Sequence, residues 1–339
     1  MSPHHKSHKS RWGFILRITV SFLALAGLIY ALRGKFGEAF LILREQVQWE
    51  WPVLAVLLYG LALGILSLRL QLIFKVQQVK MLFGEAYYLS FIGLFFNLFF
   101  PSALGGDIAK AYFAYQYSHK KLGSLTAVFL DRFLGFFSLV LIAVTALFAY
   151  SKSFLAVPAV KQTIYGVLGL LIFAVLFFGS RRFAKKFKFL WFLVPSASWR
   201  ERLTDFYHAI RECRNHKKLI AFCLFISVVA QVLFMVTVYL LALGLGEPVD
   251  PRPFFLLMPL VIVVSMAPSL SGLGVREAGF VFFFKSIMPI QHAFALSLLH
   301  DLLYYGVAVA GGIWFAFKGG LKQSILHELK AAEAMPEVK

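Results

Sequence analysis

Acid is scarce in this sequence. Only 16 Asp and Glu stand against 34 Lys and Arg, and charged residues make up 15% of 339 positions. A soluble chain carries roughly 25% charged residues, so a water-soluble domain is excluded. Cysteine is nearly absent as well. Cys213 and Cys223 alone cannot build a disulfide framework or a zinc site, and neither has an evident base partner. No HExxH, GxSxG, DxD or P-loop pattern occurs, and Gly105-Gly106 lacks the strand-turn-helix setting of a dinucleotide site. No polar stretch reaches the ~50 residues at which domains begin. The expectation is therefore no enzyme and no cofactor. What the chain has instead is apolar length. It is 60% hydrophobic, its mean hydropathy is +0.77, and several runs approach the ~20 residues that span a bilayer. The reading is an all-α, polytopic transmembrane bundle.

A net charge of +18 would suggest nucleic acid in a soluble protein. Here the bases gather at Lys6, Lys9 and Arg11 and across 181–218, without the aromatic-interleaved basic face of a single-strand binder. Such segments orient membrane proteins and attract anionic headgroups. The expected partners are membrane lipids, anionic phospholipid foremost, and not nucleic acid. The apolar run 13–32 lacks a small-x-small cleavage site and reads as a retained span.

Full spans are expected at 13–32, 51–73, 123–150, 163–180, 219–246 and 292–317, inside one transmembrane domain over 13–317. Residues 1–12 form a basic cytoplasmic N-terminus and 318–339 a cytoplasmic tail. Residues 34–49 and 197–218 resemble short amphipathic surface helices. Two further apolar segments, 84–117 and 253–290, are each interrupted by Pro-Ser and glycines. Placing the basic loops inside makes the first broken segment a re-entrant hairpin from the cytoplasm and the second one from outside. Both termini are then cytoplasmic in a bacterial inner membrane. The halves 51–150 and 219–317, joined by the span 163–180 and the basic segment 181–218, form an inverted repeat of about six spans and two hairpins. Eight plain spans are the alternative.

The breaks carry the chemistry. Lipid cannot satisfy free backbone groups, so a broken helix survives only if it is buried in protein or lines a wet cavity. In the first break, Asn97-x-x-x-Pro101-Ser102-x-x-Gly105-Gly106-Asp107, proline ends one half-helix and the glycines turn the chain. Asp107 then stands where a new helix starts. It either caps that helix or acts as a ligand or proton carrier. Asn97 makes a helix–helix hydrogen bond or meets a headgroup. The second break, Pro268-Ser269-x-x-Gly272-x-Gly274-x-Arg276-Glu277, repeats the logic; its charged pair is a functional candidate, or merely solvated if the loop is exposed. Within spans, Arg69 is read as snorkelling to the interface. Asp131 and Arg132, ~100° apart on a helix, suit either a structural interhelical pair or an arrangement with Arg132 facing phosphate. His300 and Asp301 are a proton-relay pair or simply packed side chains.

These motifs, Phe96-Asn97-x-x-x-Pro101-Ser102-x-x-Gly105-Gly106-Asp107, Asp131-Arg132-x-x-Gly135 and Pro268-x-x-x-Gly272-x-Gly274-x-x-Glu277, resemble the lysylphosphatidylglycerol synthase transmembrane-region family over about residues 10–320. The resemblance implies a flippase-like protein. In the best-known members such a membrane region moves aminoacylated phosphatidylglycerol between leaflets, while a separate cytosolic domain attaches the amino acid. With no such domain here, the expectation is lipid translocation rather than lysyl transfer. A membrane-embedded transferase using a lipid-linked donor, and a non-catalytic partner of a lipid-modifying enzyme, are the alternatives. Many relatives carry arginine in the last span where this chain has Asp301, which puts the substrate's identity in question.

Overall fold

The computed structural model describes residues 36–99, 105–149, 166, 169, 216–267, 269 and 271–318. The expected spans 13–32 and 163–180 (save Gly166 and Gly169), most of 181–218, the tail beyond 318, and Pro101, Ser102 and Pro268 lie outside the described residues.

The described residues form helices and no strand. A short α1 (Phe36–Leu41) continues into a single π turn, Ile42–Gln46, and leads into α2 (Glu50–Val76). Then come α3 (Phe83–Phe99), α4 (Gly105–Ser118) and α5 (Lys121–Ala149). After the undescribed stretch follow α6 (Lys217–Gly244), α7 (Phe254–Ser265), α8 (Val275–Phe284) and α9 (Ile290–Phe317). The 34–49 segment is thus helical in two short pieces. Prolines mark helix starts: Pro52 lies in the first turn of α2, and Pro253 and Pro289 precede α7 and α9, where no intrahelical donor is missed.

The helices α2, α5, α6 and α9 are long and apolar enough to cross a membrane. Their outward faces are apolar too: Leu57, Phe225, Leu302 and Ile313 are all exposed, an arrangement that water would penalise and lipid does not. This is a multi-pass membrane protein.

Helices α2 and α6 lie antiparallel along their whole length. Gln48 N–H donates to the Gly244 carbonyl at 2.8 Å, Tyr59 meets Phe234 edge-on with ring centroids 4.9 Å apart, and Arg69 reaches Ser227 at 2.8 Å. Each is the first member of a unit made of a long helix, a two-helix hairpin and another long helix. In the first hairpin Phe96 packs against Phe113 and Gly106 touches Asn97, so α4 runs back along α3. In the second, Gly279 faces Val264 and Val261, so α8 runs back along α7. Neither broken segment is one continuous span, as the eight-span alternative requires. With 12 and 10 residues, α7 and α8 rise only roughly 18 and 15 Å.

The hairpins open to opposite ends of the bundle. Val79, past the end of α2, bonds back to Phe74, and Lys120 donates to the Gln78 carbonyl, so the first hairpin opens where Lys75, Lys80, Lys120 and Lys121 gather. Lys217 and Lys218, opening the antiparallel α6, share that end. His292 lies 3.3 Å from Glu247, so the second hairpin opens beside Gly244, Glu247 and Asp250. The charge-derived opposition of the two hairpins is therefore present in the packing.

Each hairpin has its own core. Leu70, Phe74, Leu89, Ile92 and Phe113 pack around the first, and Met235, Leu241, Phe254, Phe280 and Phe284 around the second. Helix α9 ties the two together. Its Gly311 is so close to α3 that a Cβ there would sit 2.6 Å from the Phe91 carbonyl oxygen, a small-residue approach typical of membrane helices. Gly311→Val should force α9 away from α3 and lower the thermal midpoint of the detergent-purified protein, read by fluorescence-detected gel filtration; an unchanged midpoint would refute the close packing.

Candidate functional site

The hairpin tips are built differently. In the first, Asn97 Oδ1 accepts the Gly106 N–H at 2.7 Å, so Asn97 from α3 satisfies a free donor at the start of α4. Any Cβ on Gly106 would strike the Gly93 carbonyl and the Asn97 amide, which is why glycine stands there. With Asn97 serving that donor, Asp107 is turned to cations: its Oδ2 lies 3.0 Å from Arg132 Nε and its Oδ1 3.9 Å from Lys110 Nζ. In the second tip Ser271, Gly272 and Gly274 all have positive φ, 53°, 82° and 82°, a turn that the glycines adopt without strain. Gly272 then accepts Arg276 N–H and Gly274 accepts Ala278 N–H, starting α8.

Arg69 does not snorkel. It is 3% exposed, with Nε 2.8 Å and Nη2 2.7 Å from Asp131 Oδ1 and Nη1 2.8 Å from Ser227 Oγ. Its position, seven residues before the end of α2, leaves it roughly 10 Å inside the bundle. With α5 and α6 packed over it, neutralisation by Asp131 replaces the path to water. Ser227, which completes this contact and itself donates to Cys223 O at 2.6 Å, escaped the sequence reading, because a serine in an apolar helix usually bonds its own backbone.

Arg132, one residue on from Asp131, points elsewhere. About 40% of its side chain stays exposed beside Asp107. The adjacent residues do meet different partners.

In the second unit Arg276 of α8 pairs with Asp301 of α9 at 2.5 Å and donates to the Tyr305 hydroxyl at 3.1 Å. Its guanidinium lies over the rings of Tyr304 and Tyr305, 5.0 and 5.4 Å from their centroids. Arg276, Glu277 and Asp301 are all buried, so the pair is not merely solvated. His300 packs its ring on Phe280 and holds Nδ1 3.6 Å from Asp301.

Tyr304 stands within electrostatic reach of both units, of Asn97 in the first tip and of Ser271 in the second, and of Arg132, and its ring lies under the Arg276 guanidinium. Tyr304 is fourteen residues past Ile290, the midpoint of α9, so the tips meet at mid-height. The tyrosines were missed from the sequence. Their signal was spacing, since Tyr304 and Tyr305 follow Asp301 by three and four residues and share its helix face.

The family described as lysylphosphatidylglycerol synthase TM region matches residues 14–312. The chain belongs to that family. Among curated proteins, none matches it. The matched stretch takes in both hairpins, and the residues brought together at mid-height all fall within this membrane region of a lipid-handling family.

Proposed function

We propose that this family member is a lipid flippase, moving an anionic or headgroup-modified phospholipid, such as an aminoacylated one, between leaflets without altering it chemically. The meeting of two oppositely opening hairpins at Tyr304 carries the reading. It supports two re-entrant segments whose tips share one site near the membrane midplane, the arrangement from which alternating access is built. The half-exposed Arg132 offers the planar fork that suits a phosphate. Asp107 serves as its counter-ion until an anionic headgroup competes for the guanidinium. The lysine-rich end faces the cytoplasm of a bacterial cell membrane in this reading, and a separate enzyme supplies any modified headgroup.

The test is leaflet-resolved lipid analysis of liposomes holding the full chain and candidate anionic and aminoacylated lipids. Redistribution of at least one of them beyond that in protein-free vesicles is expected. Equal distributions for every lipid would overturn the proposal. Conversion of a labelled lipid donor to product by the purified protein would turn the reading to a transferase.

A further inference from the structure

The first tip holds more positive charge than its acid can balance. Lys110 Nζ and Arg132 Nε approach the two oxygens of one carboxylate, Asp107, at 3.9 and 3.0 Å. The other acids between positions 50 and 149 stand elsewhere. Asp131 holds Arg69, Glu85 accepts the Leu82 N–H at the far end of α3, and Glu50 lies in the first turn of α2. Two cations therefore share one negative charge.

Lys110 is seated in a slot. On α4, Gly106 and Lys110 are four residues apart and share a face, as Gly93 and Asn97 do on α3. A Cβ on Gly106 would strike the Gly93 carbonyl and the Asn97 amide. A Cβ on Gly93 would strike Cε of Lys110 and come within 3.1 Å of its Cδ and Cγ. The lysine stem thus lies across the bare backbone of Gly93. Side chains on a helix lean toward its N-terminus, and the N-terminus of α4 is the hairpin tip. The slot therefore delivers the ammonium toward Asp107 and Arg132 rather than to the membrane surface, and the side chain is only 18% exposed. At 3.9 Å from Asp107, Nζ is beyond hydrogen-bond reach of that carboxylate, so its three donors are not spent there.

We infer that Lys110 is a headgroup-binding residue, gripping a lipid phosphodiester together with Arg132 while its stem rests on Gly93. Arg132 offers the planar fork and Lys110 a point charge on the other side of Asp107. A phosphodiester carries a single negative charge, which with that of Asp107 matches the two cations, so the loaded tip is neutral. The assignment rests on the transport reading above for the lipid being cargo, and it adds to Arg132 a second cation and the glycine that places it.

Calorimetric titration of the full chain, in an uncharged maltoside detergent, with dihexanoylphosphatidylglycerol tests it. Lys110→Gln should weaken binding about tenfold or more, the scale of one lost charge-assisted contact. Lys110→Arg should restore most of the affinity, and Gly93→Ala should lower it by displacing the stem. Lys75→Gln, at the lysine-rich end, should leave it unchanged. In the unaltered protein the same lipid should shield Lys110, but not Lys75, from an amine-acetylating reagent, read by peptide mass spectrometry, so the result does not depend on the variants folding. Unchanged affinity in Lys110→Gln, or equal acetylation of Lys110 with and without lipid, would overturn the assignment. Lys110-dependent binding without leaflet redistribution would instead sink the transport reading and leave the binding site standing.

Discussion

Arg69→Leu alone should remove most of the folded protein from the membrane, while Arg69→Leu combined with Asp131→Leu should restore much of it. The single change leaves the Asp131 carboxylate buried against α2 and α6 without its guanidinium. Orphaning one partner of a buried pair costs about 3–5 kcal/mol, whereas replacing both by apolar side chains is often neutral or better. The same loss is expected for Asp131→Leu alone, which strands Arg69 with only Ser227. Thermal unfolding in detergent checks the series. A double variant no more stable than either single would show that the charges are needed for something other than each other.

Arg132→Ala should slow leaflet redistribution by about tenfold or more while leaving the protein folded, because it removes a charge-assisted contact worth about 1.5–3 kcal/mol from a side chain that is still 40% exposed. Asp107→Ala should also abolish normal redistribution, by freeing Arg132 from the geometry that aims it. Arg132→Lys should recover only part of the rate, a point charge replacing a planar fork. The leaflet assay reads all three, with gel filtration as the control for folding. Unchanged rates in both alanine variants would remove this pair from the mechanism and leave Tyr304 and the second hairpin to carry it.

The contrast between these two arginines shows how far one chain can be read by itself. Arg69 and Arg132 look alike in sequence, each a lone base in an apolar helix. Snorkelling was a sound expectation for Arg69, since lysine and arginine near helix ends do reach the interface. What reverses it is that α5 and α6 cover this stretch of α2, and no property of residues 60–76 announces that. For Asn97 and Asp107 the ambiguity was about reach. A residue less than two turns before the break accepts the Gly106 N–H that opens α4, because α3 and α4 lie side by side, and Asp107 faces Arg132 and Lys110 instead.

Hydrophobic length, proline and glycine placement and the distribution of lysines by themselves determined the bundle, the two breaks and the opposite openings of the hairpins. Those are local or one-dimensional properties: the bilayer sets helix length, proline removes a donor, and charge sets direction. Only the tertiary structure decided which charges are neighbours. Pairing Asp131 with Arg69, Asp107 with Arg132, and Asp301 with Arg276 depends on separate helices coming within ion-pair distance. It also depends on the rotation of each helix about its axis, which an apolar stretch exposed to lipid on one side leaves nearly unmarked. That rotation turned a row of isolated charges into two buried pairs, Arg69 with Asp131 and Arg276 with Asp301, and one half-exposed guanidinium, Arg132.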